Sequence, residues 1–243
     1  MAGGGTLFCR ECMEKCRNIF IDLDDTLYDF SAASREAFKE TYELLDYGRF
    51  FLSFDHYMQI YAPRNLQLWE QYGRGEITKD ELNRIRYNHP LEVVGVHDEA
   101  LATRFCREAL GRIPTKNILV EGAKELLEYL HPRYNLYILS NGFQELQEQK
   151  MLTTGIREYF KALILSDHIG INKPRREIFE YALGCTNSTP EDSIMIGDMF
   201  ETDIAGAANV GLRQIFFNRK GIDNLPFRPT FEVRRLKDII GIL

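Results

Sequence analysis

The chain has 243 residues, 44% of them apolar, with 30 Lys and Arg against 36 Asp and Glu and a formal net charge of -6. That length suits one domain carrying an insertion or two small domains, and the apolar share supplies a core, which excludes a disordered or fibrous chain. The acidic balance excludes a nucleic-acid polymer as the main partner, because such binding is driven by clustered Lys and Arg; no run approaches the roughly 18 consecutive apolar residues of a membrane helix.

Residues 1–7 are small and Gly-rich and lack the basic start and apolar stretch of a secretory signal. Five cysteines, an odd number, do not read as a disulfide framework, so a reducing cytoplasm is the expected location. Cys9, Cys12 and Cys16 fall short of the four ligands that a structural zinc or an iron-sulfur cluster takes, and no nearby His or Cys completes the set. Residues 1–17 are therefore read as a flexible N-terminal extension.

The first strand is expected over 18–22, where NIFID is a continuous apolar run ending in an acid. Roughly ninety residues then intervene before the next strand-helix unit, where a connection normally takes two to six. This insert reads as helices over 32–46, 54–72, 78–87 and 98–110, broken by Gly48, Gly73, Gly75, Pro90, Gly95 and Pro114. Its aromatics, among them Phe50, Phe51, Tyr57, Tyr61 and Trp69, are read as the core of a small helical subdomain. From there the chain alternates: helix 121–130, strand 134–139, helix 143–152, strand 161–165, helix 174–183, a capped turn at 189–192, strand 193–196, helix 202–210 and strand 213–217. Such repetition means a Rossmann-like α/β fold, a parallel sheet with helices on both faces, spanning 18–30 and 116–243, with 31–115 as an inserted α-helical subdomain.

An open parallel sheet binds ligands beyond the carboxyl ends of its strands. Those ends are polar: Asp22, Asp24, Asp25 and Thr26 follow the first strand, Ser140 and Asn141 the second, Lys173 lies beyond the third, and Gly197 and Asp198 follow the fourth. Bringing Asp22, Asp24 and Asp198 together is costly unless a cation sits among them, and oxygen ligands with room for water suit magnesium, which completes its shell with a phosphate. Lys173, Ser140 and Asn141 would then oppose and orient the phosphate of a small phosphorylated metabolite. Asp22 and Asp24, two apart on an extended chain, project to one side. Asp22 is expected as the nucleophile that forms an aspartyl-phosphate, and Asp24 as the acid that protonates the leaving oxygen and then helps to deprotonate water.

These residues spell out a pattern. Phe20-Ile21-Asp22-Leu23-Asp24-Asp25-Thr26 resembles the first motif of the haloacid dehalogenase superfamily, and Ser140-Asn141-Gly142, Lys173-Pro174 and Gly197-Asp198 with Asp203 resemble its second, third and fourth, in family order. The resemblance implies that the insert is a cap closing over a phosphate site. Asp24 disfavours dehalogenation, which has no alkoxide to protonate, and supports phosphoester hydrolysis. Asp203 is open to three readings, as a ligand, as a helix cap or, preferred, as a support behind the metal ligands. The stretches 138–143, 170–174 and 178–179, with Leu68-Trp69, Tyr72 and Gly75-Glu76-Ile77-Thr78 in the insert, resemble bacterial pyrimidine 5'-nucleotidases and imply a nucleoside monophosphate substrate. A sugar-phosphate phosphatase or mutase, and a phosphate-binding module without turnover, are the alternatives; the oligomeric state stays open.

Overall fold

The computed structural model describes residues 15–243; the expectations for Cys9, Cys12 and the first fourteen residues lie outside them. Six short strands follow the chain: β1 (Asn18–Ile21), β2 (Asn135–Ser140), β3 (Ala162–Leu165), β4 (Ser193–Gly197), β5 (Arg213–Phe217) and β6 (Phe231–Val233). They form one parallel sheet in the order β3-β2-β1-β4-β5-β6. The fold is a Rossmann-like α/β sheet, as expected. The chain winds outward from β1 to β3, returns to the other side of β1 as β4 and winds outward again, so the reversal of strand order falls at β1.

The central strands β1 and β4 are apolar runs because both of their faces are covered. Ile19, Phe20 and Ile21 of β1 are fully buried, and Phe20, Tyr137, Leu139, Ile164, Phe179 and Met195 share one core cluster. Asn18 is a buried polar residue that is satisfied in place: its Nδ2 donates to Asp192 at 3.0 Å and its Oδ1 accepts from Asn135 at 2.9 Å. The expected extension ends earlier than residue 17. Arg17 donates its amide to Asp192 and accepts one from Asn135, each at 2.8 Å, because the ladders beside β1 reach back one residue further. Cys16 is buried, which pushes its thiol pKa up to about 11.

The chain divides into two compact units, one taking in the chain up to Asp29 together with Ile118–Leu243, the other Phe30–Asn117. The second unit is built of α1 (Phe30–Leu44), α2 (Phe54–Gly73), α3 (Lys79–Val93) and α4 (Glu99–Arg112). Each later start is capped: Ser53, Thr78 and Asp98 accept from the amides of His56, Glu81 and Leu101, with a reciprocal capping box at Thr78 and Glu81. The unit's centre is aromatic, with Phe38, Tyr42, Tyr47, Phe51, Tyr57, Tyr61, Tyr87 and Phe105 buried in mutual ring contact; Phe50 and Trp69 are only partly covered. α3 runs beyond the expected stop and through Pro90, whose missing N–H costs one backbone bond while Pro90 and Leu91 are both buried. The entry and exit of this unit are closed together within the first unit. Tyr28 bridges Leu119 in antiparallel fashion, Asp29 donates to Ile118 at 3.0 Å and Val120 to Leu27 at 2.8 Å.

In the first unit, α5 (Ala123–Leu130), α6 (Gln144–Thr153) and α7 (Arg176–Thr186) follow the expected alternation. The helix expected over 202–210 is instead a wide π-type turn, Phe200–Ala205, leading into a short α8 (Gly206–Ala208). That turn carries Asp203 in against Gly197, where a Cβ would collide with the Asp203 carboxylate. The three-residue edge strand β6 is too short to register as a run in the sequence.

Candidate active site

The carboxyl end of β1 runs into a tight turn. Asp22 stays in the ladder, its amide donating to Ile196 at 2.9 Å, and Leu23 then accepts from both Leu27 and Tyr28 while Asp25, at φ 62°, takes a left-handed conformation. The turn presents Asp22, Asp24 and Thr26 beside the ends of β2 and β4. Thr26 and Asp198 hold each other: the Thr26 hydroxyl donates to Asp198 Oδ1 at 3.2 Å and accepts from the Asp198 amide at 3.1 Å.

Asp22, Asp198 and Asp203 offer carboxylate oxygens that all lie within 4.8 Å of one another. Lys173 is buried among them. Its ammonium donates at 2.7 Å to Asp22 Oδ1, to Asp203 Oδ1 and to the Leu139 carbonyl, so each of its three N–H groups has a protein acceptor. Burial disfavours the charge on Lys173, but Asp203 and Asp22 outweigh it and raise its pKa. The Asp22 carboxyl is pushed well above the ordinary range, first by burial, with Asp203 and Asp198 adding to the effect and Lys173 opposing it. Burial, then Asp203 and Asp25, lift Asp198 to about 7. Three buried carboxylates against the buried Lys173 ammonium, with only the exposed Lys220 besides, 3.9 Å from Asp198, leave an excess of negative charge. The hard oxygen donors fit a small divalent cation, which would relieve it.

The structure distributes several expected residues differently. Asp24 is not among the clustered carboxylates: Oδ1 accepts from Lys150 at 2.7 Å and Oδ2 from Gln147 at 3.0 Å, so its side chain belongs to a separate group beside the cluster. Asn141, expected on the phosphate, uses its side-chain amide to pair with the Lys173 backbone, donating to the carbonyl at 2.9 Å and accepting from the amide at 2.8 Å. Lys173, also expected on the phosphate, has its donors filled by the protein. Asp203 has both oxygens bonded, Oδ1 by Lys173 and Oδ2 by the Met199 amide at 3.0 Å. Ser140 is buried at the end of β2, accepting from Gly142 at 3.1 Å and from Gln147 at 2.6 Å.

Gln147 and Lys150 escaped the sequence reading. Their signal is a pair of polar residues three apart on one face of the helix that follows Ser140, a spacing that makes them neighbours. Both are buried, and Gly142 makes room for Gln147, since a Cβ there would run into its side chain.

Nearly the whole chain, and not the rim of the sheet alone, is similar to known proteins. A family model for haloacid dehalogenase-like hydrolases matches residues 16–211, and the chain belongs to that family. It is 30% identical over 234 residues to the HAD-hydrolase YfnB of Bacillus subtilis, covering 95% of this chain and 97% of YfnB. The magnesium-bound crystal structure of YfnB superposes with a TM-score of 0.83 at 27% identity, over 93% of this chain and 98% of that one. The chain is also 33% identical over 228 residues to the pyrimidine 5'-nucleotidase YjjG of Escherichia coli, covering 93% and 96% of the two chains. With the glyceraldehyde 3-phosphate phosphatase of Pyrococcus furiosus it shares 31% identity over 213 residues, 84% and 82% of the chains. Among the described residues no helix is long and apolar enough to cross a membrane.

Proposed function

We propose that the protein is a magnesium-dependent phosphomonoesterase that works through an aspartyl-phosphate, with nucleoside monophosphates, pyrimidine ones first, as substrates. The observation that carries the reading is Asp22 held at 2.7 Å by a buried Lys173, beside Asp198 and Asp203, with a second carboxyl group, Asp24, two residues on. Asp22 and Asp198 are the metal ligands in this reading. Asp203, with both oxygens engaged, supports them from behind and keeps Lys173 in place. When bound, magnesium supplies positive charge against the phosphoryl oxygens.

Lys173 engages Asp22 Oδ1, and the other oxygen attacks phosphorus while the ester oxygen departs. Asp24 gives that oxygen its proton, then takes one from the water that hydrolyses the aspartyl-phosphate, so Asp22 is regenerated and phosphate leaves. Ser140 donates to a phosphoryl oxygen. The likeness to YjjG supports the nucleotide, and the Pyrococcus furiosus relative supports a small sugar phosphate as the second reading. The fold likeness supports residues 31–115 as the cap and 18–30 with 116–243 as the core. The test is a panel of nucleoside monophosphates and sugar phosphates assayed with magnesium and with chelator. Magnesium-dependent release of phosphate, fastest from pyrimidine nucleotides, is expected; no release from any member overturns the reading.

A further inference from the structure

We infer that Lys150 and Gln147 are positioning residues that couple the proton-transfer group Asp24 to the phosphate-facing hydroxyl of Ser140, an assignment that rests on the phosphomonoesterase reading above. Lys150 lies almost wholly buried, 5.4 Å from the centre of the Tyr28 ring. An ammonium in such a place is costly unless its hydrogen bonds are met, so packing alone does not account for it. Its Nζ donates at 2.7 Å both to Asp24 Oδ1 and to Gln147 Oε1.

Lysine offers donors only, so the Gln147 amide must turn its oxygen to Lys150. Its Nε2 is thereby directed to Ser140 Oγ at 2.6 Å and Asp24 Oδ2 at 3.0 Å. A serine hydroxyl has two acceptor positions and one proton. Gln147 and the Gly142 amide fill the two acceptor positions of Ser140, which leaves its proton to be donated. One lysine thus sets the plane of the Asp24 carboxyl group, the orientation of an amide and, through it, the polarity of the hydroxyl that meets the substrate. Of the side chains in this clamp only Asp24 is partly open, at 27% exposed.

The experiment is steady-state kinetics at saturating magnesium on 4-nitrophenyl phosphate, whose leaving group needs little help from an acid, and on an alkyl phosphate monoester, whose leaving group needs much. Wild type, Lys150→Met, Lys150→Arg and Gln147→Glu are compared, with folding checked by urea melts. Lys150→Met is expected to lower kcat on the alkyl ester by about 10²-fold or more, and by about tenfold less on the nitrophenyl ester, because acid catalysis contributes about 10² to 10⁴. Lys150→Arg should recover most of that difference. Gln147→Glu places an acceptor against Ser140, draws its proton away from the substrate and should weaken inhibition by inorganic phosphate about tenfold, the scale of one lost hydrogen bond.

Equal loss on both esters in a folded Lys150→Met overturns the assignment. If that variant does not fold, Gln147→Glu decides: unchanged phosphate inhibition together with unchanged leaving-group preference overturns it. A wild-type protein that hydrolyses neither ester removes the phosphomonoesterase reading and this one with it. A wild-type protein active on both, with Lys150→Met equally impaired on both, removes the positioning role alone.

Discussion

Asp198→Asn should stabilise the metal-free protein while disabling it. In the folded chain, burial and the Asp203 and Asp25 charges lift the Asp198 carboxyl from 3.8 to about 7. The folded state therefore holds this proton more tightly than the unfolded state does. The associated stability is fully present below about pH 4, is lost as pH rises towards 7 and stays lost above it. At 1.36 kcal/mol per pKa unit the interval corresponds to about 4 kcal/mol. Asparagine keeps an oxygen for the Thr26 hydroxyl but carries no charge, so it escapes that loss. Urea melts in chelator at pH 8 should put the variant about 2–4 kcal/mol above wild type, with the gap closing by pH 4. Magnesium at about 100 times its dissociation constant should add about 2.7 kcal/mol to wild type and much less to the variant. A variant no more stable than wild type at pH 8 without metal would refute the view of this cluster as a pocket with excess negative charge.

Three further outcomes are expected. Asp22→Asn should abolish turnover while the protein stays folded by circular dichroism; activity within tenfold of wild type would reassign the nucleophile, since its loss is worth far more than that. Gly142→Ala sets a Cβ against the Gln147 side chain and should cost about 1–3 kcal/mol in urea melts together with most of the activity; a fully active, equally stable variant would mean that Gln147 has room to move. Tyr57 is fully buried in the helical unit and its hydroxyl has no hydrogen-bond partner among the described residues, so Tyr57→Phe should leave stability equal or raise it by about 1 kcal/mol. A loss of that size instead would show a partner for the hydroxyl.

The sheet was legible because parallel strands covered on both faces are apolar runs, and each run here ends in polar residues at the rim. Asp22, Asp198 and Lys173 declared themselves by that position, and the structure brings them together. What each side chain touches was not legible. Lys150 and Asp24 stand 126 residues apart in the chain, and the three-residue spacing of Gln147 and Lys150 does not single them out among the other polar residues of α6 until the neighbouring strand end is in place. Asn141 reads as a phosphate ligand by its motif, and the pairing of its side-chain amide with the backbone of Lys173, 32 residues on, was not visible in it. The wide turn at Phe200–Ala205 likewise reads as ordinary helix, because the close approach of Asp203 to Gly197 that accompanies it is a contact between separate positions of the chain.

The antiparallel closure of Tyr28 on Leu119 and of Asp29 on Ile118 sets the two breakpoints of the sheet-bearing unit side by side. Excising residues 30–117 and splicing in a two- or three-residue bridge would ask little of the remaining backbone, since the gap is already stapled by its own amides. The helical unit is in this way an insertion that the backbone of the sheet-bearing unit closes off on its own.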